Sequence, residues 1–234
     1  MRCVIMQPTY LPWLGYFDLI RRADIFVYLD HVQFERQSWQ QRNRIRNRDG
    51  EMLLSIPVIH GTGLSGQSIR DVKIDNSRNT LKKHLTSIKL YYSKSLNFNK
   101  LFPEVEKIYS GKIQYLIDFN LEIIQIGIKY LGISKNFMFS SKMDVQGNRV
   151  EALIDICKKT GADTYLSPVG SKQYIDENNI FAENHITLEY QQFAHPIYKQ
   201  INYNDFISHL AFIDYLFNID METASGFGTF KTSY

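Results

Sequence analysis

Hydrophobic runs and polar breaks alternate along the 234 residues in a rhythm that predicts strands and helices in turn. Residues 3–6 (CVIM) form a short apolar run, read as a buried first strand. Two prolines forbid regular structure in the loop that follows, residues 7–15 (QPTYLPWLG). Residues 16–23 then read as a short helix and residues 25–29 (IFVYL) as a second buried strand. The two runs bracket a βαβ unit, which crosses over right-handed and carries its sites at the carboxyl ends of its strands. Further strands are predicted at 52–59, at 69–74 by alternation, and at 137–139, 164–167 and 186–193. Helical spacing appears in four places. It links Leu81, Leu85, Ile88 and Tyr92, and then Leu116, Ile117, Ile124 and Ile128 within residues 113–131. It recurs for Val150, Leu153, Ile154 and Cys157 ahead of a stop at Gly161, and for Phe206, Leu210, Ile213 and Phe217. The predicted fold class is α/β: a Rossmann-like, mostly parallel sheet flanked by helices, with a helical middle section at about 78–132. It is expected as a single domain over residues 1–224, with residues 225–234 (SGFGTFKTSY) as a flexible tail.

Composition narrows the class. With 44% apolar and 22% charged residues the chain is globular and not disordered. No apolar run approaches the roughly 20 residues that a membrane span needs. Pro8 comes too early for the apolar stretch of a signal peptide. Two cysteines make no disulfide framework, and without CxxC or HxxxH spacing no metal site is expected. The expected location is the reducing cytoplasm. A net charge of +3 supports nucleic-acid binding only through a local patch.

Several segments carry candidate chemistry. Gly61, Gly63 and Gly66 after His60 spell a literal GxGxxG, but the following residues alternate as a strand. A dinucleotide site needs a helix there, so a glycine-rich hairpin is expected instead. Between residues 36 and 48, Arg36, Arg42, Arg44, Arg46 and Arg48 are interleaved with Trp39, Asn43 and other polar residues. Guanidinium forks match phosphate oxygens and Trp39 offers a stacking face. A solvated face, a phosphate site and a nucleic-acid patch all fit that pattern. In the loop after the first strand, Gln7, Tyr10, Trp13 and Tyr16 share a segment stiffened by Pro8 and Pro12. It reads as a preorganised ligand contact or, for Trp13 and Tyr16, as an apolar lid. Asp30 ends the second strand, placed to take a proton or to cap the next loop. His84 lies on the apolar face of its helix, and His195 is held extended by Pro196; each is either a general base or a satisfied structural histidine. Cys157 falls on the apolar stripe of its helix and reads as core.

Together the stretches QPTYLPWLGYFDLI, DIFVYLDHVQF, RNRI, LLSIPV, KKHLTSI, ALIDICKKTGADTYLSP, FAHPIYKQ and FIDYLFN resemble the WbqC-like family of bacterial surface-polysaccharide (O-antigen) biosynthesis proteins. The resemblance implies an N-acyl or aminoacyl (for example glycyl) transferase acting on a nucleotide-linked amino-deoxy-sugar. The donor would be a carrier-protein or coenzyme A thioester, with no bound cofactor and no metal. An acyl or peptidyl carrier protein is the implied protein partner, with neither nucleic acid nor a membrane span; the 15 tyrosines and 15 phenylalanines separately suggest a surface covered by a partner or by a second copy of the chain. Carried onto the matching positions, Asp30, His84 and His195 become the catalytic candidates. Gln7, Tyr10, Trp13, Gln33, Arg42, Asn43, Arg44, Lys83, Tyr165 and Ser167 become the substrate-binding ones. Two positions depart from the family pattern: His31 stands where an acidic residue is expected, and Pro168 where glycine is usual. A non-catalytic module that binds a glycan precursor or carrier protein is the alternative function.

Overall fold

A computed structural model describes residues 1–59, 66–175, 179–201 and 205–227. The chain folds into two compact units. The first comprises Met1–Gln7, Asp18–His31 and Ser134–Ala194; the second comprises Pro8–Phe17, Val32–Ile133 and His195 onward. Helix α1 (Leu14–Arg22) contributes residues to both units.

The first unit holds a five-stranded parallel sheet flanked by helices. Strands β1 (Arg2–Met6) and β2 (Ile25–Tyr28) were both legible as apolar runs, because a strand buried on two faces has no polar alternation. Numbering the later strands β7 (Phe137–Phe139), β8 (Thr164–Ser167) and β9 (Thr187–Tyr190), the order is β7-β2-β1-β8-β9. Register pairs Met6 with Tyr28 and Tyr28 with Phe139 on one side of β1, and Cys3 with Tyr165 on the other. The chain builds outward from β1 through β2 to β7, then returns to the opposite side, so the order reverses between β1 and β8. In open α/β sheets a ligand site forms outside the carboxyl ends at such a reversal. Helix α5 (Val150–Thr160) ends on Gly161 in the left-handed conformation, as its sequence position predicts. Its apolar stripe buries Ile154 and Cys157 in one cluster with Cys3, Ile5 and Val27. Cys157 is core, as expected, with no exposure. Two short helices, α6 (Lys172–Ile175) and α7 (Ile180–Glu183), lie between β8 and β9 along the chain.

The second unit is built from helices α2 (Thr80–Tyr92), α3 (Phe98–Tyr109), α4 (Leu116–Tyr130), α8 (Phe212–Asn218) and α9 (Met221–Ser225). Two small antiparallel pairs join them, β3 (Arg42–Asn47) with β4 (Gly50–Ser55), and β5 (Val58–Ile59) with β6 (Lys73–Ile74). Sequence patterning misplaced several of these elements. The run at 52–59 is broken at Pro57, which has no N–H to give a ladder, so two strands replace one. The alternation at 69–74 is a 3-10 turn, Ile69–Asp71, followed by the two-residue β6. Helix α3 went unpredicted, with Pro103 inside it, and α8 begins only at Phe212 because His209 sits at φ 60°. Residues 225–227 are not a loose tail: Phe227 is buried edge-on to Tyr215. The GxGxxG segment, apart from Gly66, lies outside the described residues.

Gly127 on α4 is fixed by packing. A Cβ there would stand 2.2 and 2.3 Å from ring carbons of Phe17. Overpacking of this kind costs about 1–3 kcal/mol, against roughly 1 kcal/mol regained in helix propensity. Gly127→Ala is expected to lower the thermal midpoint by several degrees, and Phe17→Leu in the same chain to recover part of the loss; calorimetry of the three variants checks both.

Candidate functional site

The carboxyl ends of β2 and β7 meet in a hydrogen-bonded cluster. Asp30, 3% exposed, lies two residues beyond Tyr28, the last residue of β2. One carboxylate oxygen accepts from Ser140 Oγ (2.9 Å) and the Ser141 backbone N–H (2.8 Å), the other from Ser141 Oγ (2.6 Å). Ser140 Oγ in turn accepts the Asp30 backbone N–H at 3.1 Å and lies 2.7 Å from His31 Nδ1. A hydroxyl has one proton to donate. Ser140 spends it on Asp30, so the third contact requires His31 Nδ1 to be the donor, and Nε2 is the basic nitrogen of the ring. Asp30 thus acts on His31 through Ser140, as an orienting carboxylate does on a catalytic imidazole.

The other candidates of this unit divide. Gln7 is half-buried just past β1, at the point where the strand order reverses. Tyr165 is core: it is 2% exposed and stacks on Phe181 with centroids 5.3 Å apart and planes at 6°. Ser167 has no exposure and bonds to Ser171 Oγ, whose own proton goes to the Pro168 carbonyl at 2.7 Å. Tyr165 and Ser167 therefore build the sheet rather than a ligand surface, because residues inside a central parallel strand face packed layers on both sides.

In the second unit the loop after β1 is rigid for reasons the prolines only half explain. Leu11 sits at φ 45°, a costly conformation for leucine. Asn43 Nδ2 donates to the Leu11 carbonyl at 2.7 Å, and Asn120 Nδ2 to those of Pro8 (3.2 Å) and Gln40 (2.8 Å). Asn43 Oδ1 accepts the Arg44 N–H at 2.8 Å, so this buried amide is committed at both ends and is not the phosphate ligand expected of it. Tyr10 has no exposure; its hydroxyl meets His84 Nδ1 at 3.0 Å and the Tyr109 hydroxyl, so it offers no stacking face. Burial pushes His84 down to about 4, leaving a neutral ring at pH 7 that hydrogen-bonds the Tyr10 hydroxyl. That places His84 in a structural triad. Lys83 beside it is exposed, as is Gln33, whose backbone pairs with Ser68.

Within the arginine-rich segment Arg42–Asn47 form strand β3, and the cations have different fates. Arg46 is 3% exposed, and its charge favours the ionised form of buried Asp214 against the larger effect of burial. Arg44 Nη1 bridges both Glu51 oxygens, at 2.9 and 3.0 Å, with its guanidinium carbon 5.7 Å from the Trp39 ring centroid. Arg42 is half-buried and makes no ion pair among the described residues. Trp13 stacks with His209 (4.8 Å) and His195 (6.5 Å), and the latter gives its Nδ1 proton to the Pro196 carbonyl at 2.9 Å. Burial lowers the His195 pKa, and the nearby His209 adds to the effect against the Pro196 carbonyl. An ideal Cβ on Gly15 would fall 2.2 Å from the Trp13 ring, so only glycine lets the indole lie there.

Among the described residues no group of three His, Cys, Asp or Glu side chains is arranged to hold a metal, and no helix is long and apolar enough to cross a membrane. Two open clefts of about 490 and 550 Å³ exist, one beside α7 and β9, the other between α3 and α4; neither contains a candidate residue.

The model of the WbqC-like protein family matches residues 7–225. The chain belongs to that family. A WbqC-like chain of this kind is also similar to an uncharacterized protein of Mycobacterium tuberculosis, 29% identical over 223 residues, which span 94% of this chain and 95% of that one. No solved structure matches. In this WbqC-like protein the family match begins at Gln7 and takes in the Asp30–His31 pair, both serines after β7, and the Trp13–His195–His209 stack. Ser140 and Ser141 were not singled out from sequence. The carboxyl-end rule applied to the correctly predicted strand 137–139 points straight at them.

Proposed function

We propose that the protein acylates the amine of a nucleotide-linked amino-deoxy-sugar, with a carrier-protein or coenzyme A thioester as donor. The reading rests on the family and on one observation, the Asp30–Ser140–His31 relay at the carboxyl end of the parallel sheet. The amine nitrogen bonds to the thioester carbonyl carbon and the C–S bond breaks. The proton lost by nitrogen passes to His31 Nε2 and from there to the departing thiolate. No acyl-enzyme is needed, because a thioester is already activated. His31 supplies general-base catalysis, worth about 10²–10⁴-fold, and Asp30 and Ser140 are positioning residues that hold its tautomer.

Thermal unfolding against nucleotide-linked amino sugars, their non-amino counterparts, nucleoside diphosphates and coenzyme A tests the acceptor class. A ligand at about 100 times its dissociation constant stabilises the fold by about 2.7 kcal/mol, several degrees at this size. The amino sugar is expected to exceed the nucleoside diphosphate, and His31→Gln to lower turnover about a hundredfold without loss of that stabilisation. A loss under tenfold removes His31 from proton transfer. Stabilisation without product in the intact protein replaces the transferase with a binding module for a glycan precursor.

A further inference from the structure

The β3–β4 hairpin carries an aromatic surface that the relay does not use. Trp39 is 52% exposed although its neighbourhood is firmly built. Its carbonyl accepts the Tyr10 N–H at 2.9 Å, and the turn before it is closed by Ser38 Oγ on the Glu35 carbonyl at 2.7 Å. The Arg44 guanidinium lies over the ring, fixed in place by the two Glu51 oxygens, so its charge is already answered within the hairpin. Arg42 is two residues along the same strand and therefore on the same face, about 7 Å away at the rise of a β-strand. It faces Ser55 across the hairpin as Arg44 faces Leu53, and neither partner is acidic. One face thus offers, in sequence, an exposed indole backed by a neutralised guanidinium and then a cation with no counter-ion among the described residues.

From this we infer that the hairpin is a binding surface for a nucleoside diphosphate, the base stacking on Trp39 and the diphosphate meeting Arg42. An indole held rigid and half in water stacks a planar base with little ordering cost, and every base has a π-face to offer. The cation thus stands to one side of the ring, beyond the guanidinium that backs it, as a diphosphate stands to one side of its base. Arg44 fixes the indole rather than the phosphate, which reverses the role its residue type suggests. The inference goes beyond the acylation reading: it needs no transfer step and holds or fails on binding alone.

Isothermal titration with uridine diphosphate, uridine and inorganic pyrophosphate tests it, with circular dichroism to verify each variant's fold. Uridine diphosphate is expected to bind more tightly than uridine or pyrophosphate. Trp39→Ala weakens it about tenfold, and Trp39→Phe keeps most of the affinity. Arg42→Ala weakens the diphosphate about tenfold and leaves uridine unchanged, and added salt acts in the same selective way. Equal affinity in the intact protein and Trp39→Ala overturns the proposal, as does pyrophosphate binding as tightly as the diphosphate, or no binding at millimolar ligand. A protein that binds uridine diphosphate here yet acylates no amino sugar refutes the transferase and leaves this surface standing.

Discussion

Asp214→Ala is expected to cost about 3–5 kcal/mol of stability, because it removes the acceptor shared by three side-chain donors in the interior. The carboxylate has no exposure. It accepts from Tyr92 (2.8 Å) on one oxygen, and from Tyr198 (2.7 Å) and Gln200 (2.8 Å) on the other. Buried Arg46 adds a charge that favours the carboxylate. Removal leaves three donors without their acceptor in a buried site. At about 2–4 °C per kcal/mol for a chain of this length, the thermal midpoint falls by roughly 6–20 °C. Urea unfolding at unchanged slope measures the loss directly. A loss under about 1 kcal/mol would show that these donors find other acceptors in solution.

Acid is expected to destabilise the protein through His84. Its folded pKa is down at about 4, against an ordinary value of 6.5, and burial is the cause. Between those values the unfolded chain binds a proton that the folded one refuses, so stability rises with pH across this window. The contribution is complete above about pH 6.5 and is lost as pH falls toward 4, amounting to roughly 3 kcal/mol. His195, also lowered by burial, acts in the same direction. Asp214 acts in the opposite one: burial raises its pKa despite its hydrogen bonds, so protonation of that carboxyl favours the folded state at low pH. Unfolding free energies of the intact protein and His84→Gln at pH 7.5 and 4.5 decide the matter. Glutamine can donate to or accept from the Tyr10 hydroxyl but does not titrate, so its pH dependence is expected to be shallower by about 3 kcal/mol. Parallel profiles would mean that His84 is hydrated in the folded state.

The contrast between these histidines and His31 shows where sequence reading ran out. His84 carried the apolar spacing of α2 and His195 an extended HPIY context, and both readings, base or structural, were open on local grounds. His31 had no such pattern, and its partner Ser140 is 109 residues away. The same holds for Asp214, whose partner Tyr92 is 122 residues away, and for Arg46, whose burial turns one of five arginines from a ligand candidate into core.

By itself the sequence determined the α/β class, the strands β1, β2, β7 and β8, the amphipathic helices α2, α4 and α5, and the burial of Cys157. Each depends on the period of apolar residues within one element, and burial of that stripe is a local demand. Tertiary structure alone decided the order β7-β2-β1-β8-β9, the division into two units, the tautomer of His31, the commitment of Asn43 to the Leu11 carbonyl, and which arginine of β3 goes without an ion pair among the described residues. Those depend on which polar atom meets which across tens of residues, and hydrogen-bond and charge partners leave no periodic trace along a chain.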